Sequence, residues 1–165
     1  MKKSWIATVT FALFLTLFCF QGCSENTDLN KNTQNIQNFL KNVLTIPSEE
    51  FSGLVTSDLH LTDMEEYDRQ VNEAIASLCG EHADIEKLSD TSSRFFSQVI
   101  LSHLMADYQQ YTVTVDQIVV KSSEDNDKQY GYEAVLHDSR EDEPVTITDS
   151  IQLNDAYKID YMSIN

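Results

Sequence analysis

Only a few side chains in this sequence could do acid–base chemistry, and their spacing decides whether they can meet. Asp149 shares the alternation phase of Val145, Ile147, Ile151 and Leu153, so an unbroken strand turns its carboxylate inward with them. An isolated carboxylate in apolar surroundings is costly unless it is paired. The available partners are His103 and Asp107, four apart on a helical pattern, and the tyrosines Tyr130, Tyr132 and Tyr161 on strand patterns. A general base built from Asp149, with His103 and Tyr132 as acid–base partners, is the sharp expectation. The plain expectation is that a bulge turns Asp149 to solvent or that a tyrosine hydroxyl satisfies it, and the sequence assembles no further catalytic set.

Other reactive types are quickly placed. Cys79 stands three residues before His82, a spacing a thiol nucleophile could use. It also ends a helical pattern just before Gly80, where the helix dipole and Glu81 both disfavour a thiolate, so a buried structural cysteine is expected. Glu124, Asp125 and Asp127 lack the glycine and distal glutamate of a calcium loop, and they read as a solvated hairpin tip, as does Arg140-Glu141-Asp142-Glu143. His60, His82, His103 and His137 have no zinc-ligand spacing. The chain has neither a glycine-rich phosphate loop nor a Gly-x-Ser-x-Gly elbow. No metal or cofactor is expected.

The elements that must position these residues fall into a helical half and a strand half. Ile36, Phe39, Leu40, Val43 and Leu44 form one apolar stripe on a helix over about residues 32–45. Pro47 suits the first position of a short second helix that turns Phe51, Leu54 and Val55 inward. Thr62 and Glu65 make a capping box that opens a third helix, with Met64, Tyr67, Val71, Ile75 and Leu78 apolar. A fourth begins near Asp90 or Thr91 and carries Phe95, Phe96, Val99, Ile100, Leu104, Met105 and Tyr108, which makes it the expected central helix. After Gln110 the period changes to two. Tyr111, Val113 and Val115 open a first strand, with a phase change that implies a bulge before Val120. Tyr130 to Leu136, Val145 to Leu153 and Tyr157 to Tyr161 supply three more. Short connections make an antiparallel meander. The expected fold class is α+β, with N-terminal helices on one face of a four-stranded antiparallel sheet.

Composition sets outer limits. The chain has 165 residues, 41% of them hydrophobic, with a formal net charge of −16, enough for one core and too acidic to favour nucleic acid. The start of the chain is organised differently from the rest. Lys2 and Lys3 precede an apolar run from Trp5 to Phe20, interrupted only by threonines, and the run leaves through Phe20-Gln21-Gly22-Cys23. This exit resembles the lipobox of bacterial lipoproteins, in which a small residue precedes a cysteine that is diacylglycerated and becomes the new N-terminus. Gly22 and Cys23 match that pattern, while Phe20 departs from the usual leucine. The resemblance implies a signal peptide over residues 1–22, a lipidated N-terminus and flexible tether over 23–31, and a single domain over 32–165. It also implies attachment to the outer face of a cell membrane through the lipid on Cys23. The polar stretch from Ser24 to Gln34 reads as that tether. Losing Lys2 and Lys3 with the signal would take the charge from −16 to −18. Cys79 would then be the lone thiol, without an intramolecular disulfide.

The helices-then-hairpins order, the helix ending at Tyr108 and the closing stretch Leu153-Asn154-Asp155-Ala156-Tyr157-Lys158-Ile159 resemble the nuclear transport factor 2-like fold, also called ketosteroid-isomerase-like and grouped with cystatin-like α+β folds. Tyr157 stands where small lipoproteins of this kind carry a tryptophan, and the turn lacks their glycine. The resemblance implies a curved sheet closed by helices into a cone that can hold a polar site. It informs fold more than activity. Two functions follow as expectations. The first is a non-enzymatic envelope lipoprotein that binds a protein partner or a small apolar ligand. The second is a small-molecule isomerase or hydratase that uses Asp149 and His103 in the cone.

Overall fold

The computed structural model describes residues 27–54, 63–91 and 93–163. The expectations that rest on Lys2 to Cys23, on Val55, on Thr62 and on the side chains of Phe95 and Phe96 lie outside the described residues. The chain divides into two units, residues 1–31 and 32–165; of the first, only 27–31 are described, and these are the opening of a helix.

That helix, α1 (Thr27–Leu44), begins earlier than the polar composition suggested, so residues 27–34 are helical rather than an irregular tether. Its stripe is as expected: Ile36, Phe39, Leu40, Val43 and Leu44 are all buried. Each such side chain contributes roughly 1.5–3 kcal/mol on leaving water. Among the described residues this helix, and not the one ending at Tyr108, supplies the most buried apolar side chains. Pro47 does not start an α-helix. Ser48 precedes a single 3-10 turn, Glu49–Phe51, which buries Phe51, and Leu54 follows it inward.

Helix α2 (Met64–Cys79) is capped one residue later than the expected box. Asp63 accepts the Glu66 N–H at 3.0 Å, the same capping logic moved by one position. Met64 is consequently exposed, while Ala74, Ile75, Leu78 and Cys79 reach the core. Gly80 ends the helix at φ +58, a conformation that costs any residue with a Cβ. A short helix, α3 (Ile85–Thr91), was not anticipated; Asp84 opens it by accepting the Lys87 N–H at 3.2 Å. Helix α4 (Ser93–Gln109) ends with Gln110 at φ +59 and a Tyr111 N–H to Ala106 carbonyl bond of 3.2 Å, a Schellman closure without glycine.

The domain is α+β, its helices packed on a four-stranded antiparallel sheet in the order β1-β2-β3-β4. The strands are β1 (Val113–Ser122), β2 (Gln129–Asp138), β3 (Val145–Leu153) and β4 (Ile159–Met162). The expected phase change in β1 is a bulge between Val115 and Gln117. A second bulge was not expected. Leu153 pairs with Ile159 but Gln152 with Tyr161, so Asp160 is the extra residue. This shift buries Met162 and turns Tyr161 outward, and Tyr157 lies in the turn rather than on the strand. Tyr130, Tyr132, Ala134, Ile151 and Leu153 line the inner face, whereas Val145 is half exposed at the far end of β3.

Candidate functional site

The sharp expectation put Asp149 beside His103 or a tyrosine; Asp149 and His103 serve separate structures. His103 is fully buried on α4. Its Nδ1 accepts the Ser48 N–H at 3.0 Å, and its ring stacks on Phe51 at 4.9 Å between centroids. Asp107, one turn further on, accepts the Gly53 N–H at 3.0 Å. The pair four apart on α4 is therefore a two-point clamp on the segment 48–53, whose backbone donors have little regular structure of their own to satisfy them. Burial holds the imidazole below its ordinary value, against the opposing influence of the Val43 carbonyl and the Glu50 charge. A neutral ring is what an accepting Nδ1 requires.

Asp149 keeps the inward phase of β3 and sits directly opposite Tyr132 across the β2–β3 pair. The structure thus brings two of the three candidate acid–base residues side by side. Asp149 Oδ1 accepts the Ser150 N–H at 2.8 Å and a hydrogen bond from the Ser163 hydroxyl. Tyr132 donates to the Ser163 carbonyl at 3.0 Å. The reason lies in the end of the sheet. Beyond the Ile151–Met162 pair β4 ends, and among the described residues the bond from Ser163 N–H to the Ser150 carbonyl, at 3.3 Å, continues the ladder. The side chains of Asp149 and Tyr132 take up the groups that a longer β4 would have paired. Burial, reinforced by the Asp149 charge, raises Tyr132 above the ordinary phenol range, so its hydroxyl stays a donor.

The remaining tyrosine candidates go elsewhere. Tyr130 is fully buried and its hydroxyl accepts from Asn32 Nδ2 at 3.3 Å; Tyr161 faces outward. Cys79 is buried as expected, and burial pushes its thiol up to about 12, far from a nucleophilic thiolate at neutral pH. The turn after β2 is more than a solvated tip. Arg140 forks onto Asp138 and lies 3.5 Å above the Tyr111 ring, a cation–π contact. Asn32 and Arg140 had no signal in pattern alone, because each contact joins residues far apart in sequence or on different elements.

Two surface grooves accompany these clusters. One, of about 340 Å³, lies among Lys41, Asn42, Pro47, Ser48, Glu50 and Leu78. The other, of about 380 Å³, is a depression over the bare Gly131 on the outer face, flanked by Val119, Lys121, Glu133 and Thr148 and bordered by Tyr132 and Asp149. Both are open to solvent and of mixed polarity, unlike an apolar chamber that would desolvate a base. Among the described residues no group of three or more His, Cys, Asp or Glu could hold a metal ion, and no helix is long and apolar enough to cross a membrane. Comparison with protein-family models, with curated proteins and with solved structures finds no match to this chain.

Proposed function

We propose that this chain is a lipid-anchored protein on the outer face of a bacterial cell membrane, whose folded domain binds a partner rather than transforming a substrate. The anchor is supported by the order of residues at the start of the chain: Lys2 and Lys3, the apolar run to Phe20, then Gly22-Cys23. A nuclear transport factor 2-like domain agrees with helices followed by a four-stranded meander. The observation that supports a binding role over the isomerase or hydratase alternative is the openness of the surroundings, since the grooves beside Ser48 and beside Asp149 are both open to solvent and of mixed polarity. Asp149 Oδ1 and His103 Nδ1 each accept a backbone N–H, in separate clusters. Asp149 Oδ2 has no hydrogen bond among the described residues, but the groove it borders is an open depression, not an enclosed apolar pocket that would hold a small substrate against it.

Expression of the full chain in a bacterium fed a labelled fatty acid tests the anchor. The expected result is a labelled protein in the membrane fraction, with both label and membrane location lost in Cys23→Ala. An unlabelled native protein, or a Cys23→Ala variant that keeps its label, would overturn it.

A further inference from the structure

Residues 24–34 are polar enough to form a loose tether, yet α1 is helical from Thr27 onward. Only residues 24–26 then separate Cys23 from the helix, and the chain from Cys23 to Thr27 reaches at most about 14 Å. With Cys23 lipidated, as proposed above and as this inference requires, the first turn of α1 is held close to the lipid headgroups. A domain on so short a link has few ways to lie, and its surface charge chooses among them.

The chain carries 27 acidic against 11 basic residues, and most of its surface shows it. Helix α2 exposes Glu65, Asp68 and Glu73, and the β1–β2 turn exposes Glu124, Asp125 and Asp127. The exposed side of α1 is different. Lys31, Gln34, Asn38 and Lys41 are exposed there, and they fall within about 80° of the helix circumference. No Asp or Glu occurs from Leu29 to Ser48, and Glu49 and Glu50 follow only past the end of the helix away from the anchor. Glu25 and Asp28 are next to Cys23 in sequence however the domain turns, so they do not bear on which face is lowered. The acid-free exposed stripe of α4 offers a single cation, Arg94, and no short link ties it to the anchor. We infer that the face of α1 bearing Lys31, Gln34, Asn38 and Lys41 is the side of the domain that rests on an anionic lipid surface. The lipid holds the protein at the bilayer, and the two lysines, with the repulsion of the acidic faces, set its orientation. Both influences fade beyond about 10 Å at 0.1 M salt, a range within which the link keeps the start of α1.

The test uses the full chain, made in a bacterium fed a labelled fatty acid and carried into vesicles of phosphatidylglycerol with phosphatidylcholine or of phosphatidylcholine alone. A poly(ethylene glycol) maleimide, too bulky to reach a thiol held against a bilayer, reads the accessibility of Asn38→Cys, with the native chain as the background for the buried Cys79. The expected result is a reaction about fivefold slower on the anionic vesicles, while Asp125→Cys reacts equally on both. Replacing both lysines, Lys31→Gln with Lys41→Gln, restores the fast rate, as does raising the salt to about 0.5 M. A fatty-acid-labelled chain whose Asn38→Cys reacts alike on the two kinds of vesicle overturns the docking and leaves the anchor standing. So does a slow rate that survives the loss of both lysines. A chain that takes up no fatty acid overturns the anchor, and the docking with it.

Discussion

His103 and Asp149 are both polar groups set among apolar neighbours, and both accept backbone N–H groups that secondary structure leaves unpaired. They differ in depth. His103 is wholly enclosed, and the Ser48 N–H that it accepts lies 3.0 Å away. Asp149 lies at the end of a sheet and is only half-buried as a residue. The same kind of bond should therefore be worth more at the first place than at the second, because an unmet donor costs most where water cannot replace the lost acceptor.

The largest effect is expected at His103. In His103→Leu the partly buried Ser48 N–H loses its acceptor and the stacking on Phe51 is lost, and about 2 kcal/mol of stability goes with them. His103→Gln keeps an acceptor and should lose less. Urea denaturation of the two variants and the native chain measures both. The same site sets a pH dependence. Its folded-state value lies below the 6.5 of an unperturbed histidine, so below that pH the unfolded chain takes up a proton that the folded chain resists. The contribution is complete above 6.5 and is lost as pH falls through the folded-state value. Neutralising carboxylates relieves the chain's self-repulsion and works in the opposite direction, so the difference between native and His103→Gln carries the test. If the two profiles run parallel between about pH 7 and about pH 5, the imidazole is not the buried neutral acceptor described above.

Much of this was legible in residue pattern, and what was not has physical causes. The period of α1 and the alternation of β2 identified most of their buried side chains, because burial on one face repeats along an element. The spacing of His103 and Asp107 marked one helical face correctly, but what that face touches is a segment about 50 residues away, which no local pattern encodes. Tyr161 was misplaced by a single extra residue, Asp160, since one bulge reverses every later side chain on a strand. Short α3 went unseen because Ile85 and Leu88 supply only one apolar step, although Asp84 ahead of them is a capping signal. Asp149 was read in the correct phase; the Ser163 hydroxyl that meets it comes from beyond the last strand.

At the sheet edge the expected loss is smaller. Asp149→Ala and Ser163→Ala should each cost about 1 kcal/mol, and the double variant less than their sum, because both remove the same hydrogen bond. A coupling of about 0.5 kcal/mol or more in a double-mutant cycle supports an edge closed by this pair. Strict additivity, or a loss as large as that of His103→Leu, would erase the contrast between the enclosed and the marginal acceptor.

The hairpin that leads into β4 offers a finer probe of the same edge, this time of backbone rather than side chain. Asn154 closes the turn, its Oδ1 accepting the N–H groups of Ala156 at 2.9 Å and Lys158 at 3.0 Å. Tyr157 completes it at φ +56 with its ring about half exposed. A residue with a Cβ pays roughly 1 kcal/mol for that conformation and glycine pays almost none. Tyr157→Gly should stabilise the fold by about 0.5 kcal/mol, the relief of strain being partly offset by the lost ring contact. Tyr157→Ala loses the ring and keeps the strain, so the glycine variant should exceed it by about 1 kcal/mol in urea. Equal midpoints for the two would mean that the turn does not hold position 157 in the left-handed region, and that β4 is held in place by Ser163 and the Ala83–Ile159 bridge instead.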